Sequence, residues 1–377
     1  MSKWLTFLIF YNKLSTKAVI VMNPSEKNIF GSRLKLARKM AGFSLQDLAD
    51  ALENKVTKQA LSKYEKGAMN PSNEVLVAIA NYFNLKPDYF LKQKSTEFGE
   101  VMFRKRARLS KRNEDSIVEK VRDYVERFLE IENILGFEEQ FHNPIEGLKI
   151  DSEKDVENAA KNLRMAWNLG SSPISNIVEM LELQGIKVYL SEEVEDFDGL
   201  AVYTSQGIPI VAVNTKDKPI ERLRFTIIHE LAHLLLNLDD SILNNDKQME
   251  KFCHYFSSCF LIPTKKLIEL IGPKRSYIKI DELISIKEYY GISIRATVHR
   301  LWKLNVITET YYRRWMIFMS KEFGAKKEPG NYKGEENPKF FDQLVNRALA
   351  EELISISKAA SLWNISINEL RKRPGGA

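Results

Sequence analysis

The chain has 377 residues and a formal net charge of +6, and 44% of its residues are hydrophobic. This length predicts two or three domains. No apolar run approaches the roughly 18 residues that a membrane-spanning helix needs. Residues 1–112 hold 21 Lys and Arg against 9 Asp and Glu, a charge of +12, which leaves 6 − 12 = −6 for residues 113–377. The basic end is therefore suited to neutralising phosphates.

The first 26 residues are predicted to form a disordered extension. A short apolar run, Trp4–Tyr11, follows Lys3 and faintly resembles a signal peptide, but no small-residue cleavage site follows it. Met22 is therefore the expected natural start.

Residues 27–92 predict a domain of five short helices. Gly42 ends the first helix, Ser44 can cap the second and Gly67 ends the third. A tight turn between the second and third helices is typical of a helix-turn-helix domain. The predicted helices are Phe30–Met40, Leu45–Leu52, Thr57–Glu65, Asn73–Phe83 and Pro87–Leu91.

This stretch resembles Xre/Cro-type repressors in residues 44–49 (SLQDLA), 56–67 (VTKQALSKYEKG) and 70–72 (NPS). The resemblance implies that the third helix enters the major groove of double-stranded DNA. Such repressors usually read paired half-sites, which is consistent with a homodimer. A helical bundle used only for protein contact is the alternative. The residues that the resemblance places toward bases and phosphates are Lys58, Gln59, Ser62 and Lys63.

A basic linker and a connecting helix are predicted in residues 93–150. Residues 103–112 carry six cations and no acid. This segment either contacts phosphates or is a solvated linker, and the sequence favours neither. Glu114–Leu135 predicts a long helix that is apolar on one side and links the two modules.

Three apolar, β-branched segments predict a small sheet: Ile186–Leu190, Gly199–Thr204 and Ile208–Asn214. Gln206 and Gly207 predict the turn between the last two segments. An edge strand of this sheet could pair with an extended substrate, or the sheet could only support the helix that follows it.

That helix contains His229-Glu230-Leu231-Ala232-His233, which reads H-E-x-x-H within an apolar stretch. Residues four apart lie on one face of a helix, so both imidazoles can bind one metal ion. Glu230 then lies where a metal-bound water would be. Two histidines satisfied by hydrogen bonds in a buried helix are the alternative.

A third metal ligand is expected on the next predicted helix, Gln248–Pro263. Glu250 and His254 are four residues apart on this helix, and by spacing either one can reach the metal.

Residues 197–263 resemble the ImmA/IrrE family of metallo-endopeptidases. The resemblance implies that Glu250 is the third zinc ligand. Where the family usually has Ala-Asn, this chain has Cys253 and His254. The resemblance is carried by Phe197–Leu200, Ile208–Asn214, Arg222–His233 and a Glu-rich helix that ends in Leu261-Ile262-Pro263.

Two neutral imidazoles and a carboxylate suit Zn²⁺, and they also permit Mn²⁺ or Fe²⁺. Three protein ligands leave one position for water, whose pKa falls to about 7 on zinc. Glu230 is the expected general base, which takes the water proton and passes it to the leaving amine. Tyr203 and Tyr255 qualify as oxyanion stabilisers by type only, and a structural role is expected for both.

The remaining boundaries place the metallopeptidase domain in residues 151–323 and a loop with a helical tail in residues 324–377. Cys253 and Cys259 lie six apart on one apolar helix, which predicts buried free thiols and a reducing cytoplasm.

The predicted fold is mainly α with a small β-sheet (α+β): a five-helix helix-turn-helix domain plus a minimal zincin-like peptidase domain. The first functional hypothesis is a cytoplasmic DNA-binding regulator with a zinc metallo-endopeptidase domain. The family resemblance implies that it cleaves a regulatory protein, typically a repressor, in stress or mobile-element control. The second hypothesis is a non-proteolytic repressor or antitoxin-like DNA binder whose metal domain senses or scaffolds.

Overall fold

The structure, a computed structural model, describes residues 24–53, 55–83, 85–91, 98, 102–105, 110–137, 141–192, 197–324 and 327–372. The chain divides into two compact units between residues 94 and 95. Residues 1–23, most of the predicted extension, lie outside the described residues. The last three residues of that predicted extension, 24–26, belong to the first helix, which begins earlier than the predicted Phe30.

The first unit contains the predicted helical domain. Ser44, Thr57 and Ser72 each accept a hydrogen bond from a backbone N–H three residues later, so each fixes the start of a helix. Its core includes Phe30, Leu34, Leu48, Leu61, Ile79 and Phe90, all fully buried. The helices are α1 (Pro24–Met40), α2 (Leu45–Ala51), α3 (Lys58–Glu65) and α4 (Asn73–Tyr82), followed by a 3-10 helix at Pro87–Leu91.

The second unit is mainly helical with small sheets, which confirms the predicted fold class. Its strands are β1 (Met102–Lys105), β2 (Lys149–Ile150), β3 (Lys187–Ser191), β4 (Phe197–Tyr203), β5 (Pro209–Asn214) and β6 (Asn237–Leu238). Its helices are α5 (Lys111–Ile134), α6 (Glu153–Ala166), α7 (Ile177–Leu183), α8 (Ile220–Leu235), α9 (Asp240–Leu243), α10 (Asp246–Leu261), α11 (Thr264–Ile271), α12 (Ile280–Tyr290), α13 (Ile294–Lys303), α14 (Glu309–Phe323), α15 (Phe340–Ala350), α16 (Ile356–Leu362) and α17 (Ile367–Leu370).

The main sheet has the strand order β1-β4-β5-β3. Strand β4 pairs antiparallel with both β1 and β5, whereas β3 pairs parallel with β5. Strands β3, β4 and β5 correspond to the three predicted segments. The fourth strand, β1, includes residues 103–105 of the basic segment, so these residues pair with the sheet. Residues 106–109 of that segment lie outside the described residues.

The sheet lies between α5 on one face and α8 on the other. Ile210 and Ala212 of β5 pack in the cluster that contains the α5 side chains, whereas Val211 and Val213 pack in the cluster that contains α8. This division follows from strand geometry, because successive side chains point to opposite faces. Helix α8 is therefore held flat against β4 and β5.

The C-terminal helices α15, α16 and α17 complete the second unit by packing on α5. Phe128 and Ile131 of α5 share a buried cluster with Phe341, Val345 and other residues of the tail. The tail is thus a folded part of the second unit. Among the described residues, no helix has both the length and the apolar character that crossing a membrane requires.

Candidate metal centre and DNA-facing helix

Helix α8 supplies two histidines to one point. His229 is fully buried and His233 is half-buried. Their Nε2 atoms lie 3.1 Å apart, because a spacing of four residues places the two side chains one turn apart on the same face.

Helix α10 supplies a carboxylate to the same point. Glu250 Oε2 lies 3.3 Å from His229 Nε2, and Glu250 Oε1 lies 3.3 Å from His233 Nε2. Among the described residues, these three form the group whose ligand atoms are close enough together to hold a metal ion. The structure therefore brings together all three predicted ligands.

The spacing of these atoms fits a tetrahedral metal ion. Bonds of about 2.0–2.1 Å at a tetrahedral angle separate neighbouring ligand atoms by about 3.3 Å. The observed separations are 3.1, 3.3 and 3.3 Å. Two imidazoles and a carboxylate are also the donor set that zinc takes in sites with an open fourth position. The residues present therefore fit a zinc ion.

The electrostatics favour an ionised Glu250. Burial acts to raise its pKa, but hydrogen bonds and charge from His229 and His233 outweigh burial and hold the pKa well below its ordinary value. The site thus presents an anion to a bound cation.

Glu230 lies on the same helix turn as His229 and is only 1% exposed. It packs directly against the backbone of β4 at Gly199. A Cβ atom added to Gly199 would lie 2.4 Å from Glu230 Oε1 and 2.7 Å from its Cδ. Glycine at this position is what allows the carboxylate to lie so close to β4. In the sequence, Gly199 was identified only as part of a predicted strand and of the family resemblance, and no local pattern indicated its contact with Glu230.

Two side chains of α10 surround the ligands. Cys253 Sγ lies 3.6 Å from His233 Nδ1, a hydrogen-bonding distance for sulfur that fixes the orientation of the ring. The His254 ring lies 4.4 Å from that of His229 and stacks on Phe225, and its Nε2 is 3.9 Å from Glu250 Oε2. His254 therefore borders the site at its half-exposed side but lies outside the three-ligand group.

The two tyrosines considered as oxyanion stabilisers are engaged elsewhere. The Tyr203 hydroxyl donates to Leu234 O at 2.9 Å, and burial raises its pKa to about 12. The Tyr255 hydroxyl donates to Glu157 Oε2 at 3.3 Å. Both contacts join elements of the second unit, so both hydroxyls have structural partners.

Helix α3 presents the predicted DNA-facing residues on one side. Lys58, Gln59 and Lys63 are exposed, and Ser62 is half-buried. The opposite side of the helix carries the buried Leu61 and Tyr64. The helix is thus anchored by its apolar face, and the predicted residues lie on its opposite, largely exposed side.

The first unit has the fold of a helix-turn-helix domain. The second unit has an H-E-x-x-H helix and a third carboxylate that converges on it. Together they place the protein in the class of regulators that carry a metallopeptidase-type domain. Comparison with known families agrees with this class. Residues 34–90 match the helix-turn-helix family, and residues 181–302 match a peptidase family described as the IrrE N-terminal-like domain. The chain therefore combines these two domains.

Similar proteins of Bacillus subtilis match the N-terminal part. The SPbeta prophage-derived uncharacterized HTH-type transcriptional regulator YonR is 36% identical over 70 residues, which cover 19% of this chain and 63% of YonR. The HTH-type transcriptional regulator ImmR is 34% identical over 61 residues, which cover 16% of this chain and 46% of ImmR. The chain thus spans less than two thirds of the length of either relative.

Proposed function

We propose that the protein is a cytoplasmic, DNA-binding transcriptional regulator whose second unit is a zinc-dependent endopeptidase. Its substrate is a regulatory protein, with a repressor as the first candidate, in stress or mobile-element control. The observation that carries the proposal is the convergence of His229, His233 and Glu250 at tetrahedral spacing beside the buried carboxylate of Glu230.

The residues of the candidate metal centre have separate roles in hydrolysis. His229, His233 and Glu250 would hold the ion, and Cys253 would orient the His233 ring. When bound, zinc supplies Lewis-acid chemistry at a carbonyl and makes a water more acidic. Glu230 accepts the proton of the attacking water on its carboxylate and returns it to the leaving amine. The Glu230 carboxylate packs closely against Gly199. The side chain therefore needs little change of position for this proton transfer.

Mn²⁺ and Fe²⁺ are also compatible with two imidazoles and a carboxylate. Metal analysis of protein purified under native conditions identifies the ion that the cell supplies.

The experiment that tests the proposal compares wild type with Glu230→Gln, expressed side by side, by mass spectrometry of cleaved and lost proteins. New N-termini on one or a few regulatory proteins are expected with wild type only, because an amide cannot accept the proton. The metal content should be the same in both, since Glu230 is not one of the three converging ligands. The control is Glu269→Gln, which changes an exposed carboxylate on α11. This protein should cleave the substrate as wild type does.

Unchanged cleavage in the Glu230→Gln protein would contradict the peptidase proposal. A wild-type protein that binds metal and cleaves nothing would favour the non-proteolytic repressor, in which the metal domain senses or scaffolds.

The helix-turn-helix unit is proposed to read double-stranded DNA as a homodimer through Lys58, Gln59, Ser62 and Lys63. Replacing Gln59 by alanine should weaken binding to an operator selected from random DNA by about 1–3 kcal/mol and relax preference at one base pair. Fluorescence anisotropy with selected and scrambled DNA measures both effects. Asn81→Ala, an exposed change on α4, is the control. Equal loss of affinity for both DNAs would instead make Gln59 a phosphate contact.

A further inference from the structure

The edge of β4 that faces away from β5 is occupied by the protein's own chain. Strand β1 pairs antiparallel with β4, with Met102 opposite Ala201, Phe103 opposite Leu200 and Arg104 opposite Gly199. An isolated bridge between Phe98 and Thr204 extends the same antiparallel contact. Met102–Lys105 thus pairs with residues 197–201 of β4, and Phe98 lies opposite Thr204, the residue after the end of β4.

This edge is connected to the candidate site through Gly199. Gly199 is the residue of β4 whose backbone contacts the Glu230 carboxylate. Glu230 packs against the side of β4 that faces α8 at Gly199, so a peptide that adds to the outer edge of β4 as an antiparallel strand runs beside the residue that covers Glu230. In the structure the residue opposite Gly199 is Arg104.

We propose that β1 is an intramolecular blocker: Met102–Lys105 occupies the peptide-binding edge of β4, and a substrate segment must displace it to reach the metal centre. This inference rests on the proposed function, because it describes how a substrate of that site binds and what prevents its binding. The partner that fits the edge is an extended, unfolded stretch of polypeptide, since backbone pairing sets no requirement on its side chains.

The blocker is tethered at both ends. On its N-terminal side, the Phe98 ring lies 4.9 Å from the Arg122 guanidinium and packs against the cluster between α5 and the sheet. On its C-terminal side, Ser110 caps α5. Tethering keeps the local concentration of β1 at the edge high.

The paired segment is nevertheless short enough to be displaced. Strand β1 has four residues, and its register shifts between Arg104 and Lys105. Few ladder hydrogen bonds therefore have to be exchanged when another strand replaces it.

A disulfide between β1 and β4 tests the proposal, because the same protein can be compared with β1 locked to the edge and, after reduction, with β1 released. The variant Met102→Cys/Ala201→Cys places thiols on directly opposite residues, whose Cα atoms lie about 4.5–5.5 Å apart in antiparallel pairs, within disulfide range. Both native cysteines are buried. The full-length, zinc-loaded variant is made with Glu230→Gln, so that the probe, fluorescein-labelled casein, is bound and not cut.

Anisotropy titrations should show no saturable casein binding in the oxidised protein and restored binding after reduction. Equal affinities in the two states would overturn the proposal. A second variant, Met102→Pro/Phe103→Pro, removes two adjacent backbone donors, one of which faces β4. If β1 leaves the edge open about a tenth of the time, this variant should bind casein about tenfold more tightly than its parent.

These outcomes are separable from those for the proposed function, because casein binding is measured without hydrolysis. If wild type proves to cleave no protein but the oxidised and reduced variants still differ, the edge is a blocked peptide-binding surface and the hydrolysis proposal alone fails. If wild type cuts its own chain within residues 102–105, the segment is a substrate and the blocker proposal is overturned.

Discussion

An alanine in place of Gly199 is expected to reduce proteolysis about a hundredfold or more, since a misplacement of about 1 Å at a reacting group has an effect of this size. The added methyl would lie 2.4 Å from Glu230 Oε1, so either the carboxylate or β4 has to move. Glu230 is almost fully buried and has little space into which to move. Cleavage of the substrate identified with wild type gives the rate, and elemental analysis gives the bound metal.

The metal should stay in the Gly199→Ala protein, because the new methyl has no contact with His229, His233 or Glu250 among its nearest neighbours. Gly147→Ala is the matched control, since a Cβ atom there meets no atom of the described structure within 4 Å. Full activity in the Gly199→Ala protein would mean that the position of the Glu230 carboxylate is unimportant, and would remove the case for it as the proton acceptor. Loss of metal or of thermal stability would instead show a general disruption of the sheet.

The part of the candidate site that depends on one helix was predictable from spacing alone. His229 and His233 share a face because α-helical periodicity dictates it, and their Nε2 atoms lie 3.1 Å apart. The third ligand was not predictable in this way. Glu250 and His254 are equivalent by spacing, and the packing of α10 on α8 is what brings Glu250 within 3.3 Å of both rings. Only the family resemblance favoured Glu250 beforehand.

Contacts between segments that are distant in the chain could not be predicted from the sequence. Gly199 and Glu230 are 31 residues apart, and their contact depends on how β4 lies against α8. Strand β1 carries two cations in four residues, so its composition is typical of a linker and does not predict a strand. Its pairing is determined by the backbone of β4, which accepts many sequences at an edge.

The same limit applies to the loop before α15, which the sequence predicted only as part of a loop with a helical tail in residues 324–377. The structure shows that it carries Glu336 into the interior, where it forms an ion pair with Arg224 of α8, and both side chains are 0% exposed. Glu336 Oε2 also accepts hydrogen bonds from the backbone N–H groups of Ile177 and Val178 at 2.6 and 3.0 Å. One carboxylate thus joins the loop to the metal-binding helix and to the start of α7.

Replacing Glu336 by glutamine is therefore expected to destabilise the second unit by about 3–5 kcal/mol, because it leaves the Arg224 guanidinium buried without its counter-charge. Urea unfolding followed by tryptophan fluorescence reports on this unit, which contains Trp167, Trp302, Trp315 and Trp363. Glu335→Gln, an exposed change at the neighbouring position, should alter stability by less than about 0.5 kcal/mol.

A double-mutant cycle separates the ion pair from the capping of α7. Arg224→Met removes the buried cation, so adding Glu336→Gln to that background should cost much less than it does in wild type. The remaining cost measures the change from a charged to a neutral acceptor at Ile177 and Val178, because the glutamine amide oxygen can still accept both hydrogen bonds. Because Arg224 lies five residues before His229 on α8, a weakened pair should also lower metal affinity in the folded protein. Equal stabilities of the Glu336→Gln and Glu335→Gln proteins would show that the loop does not hold α8 in place through this pair.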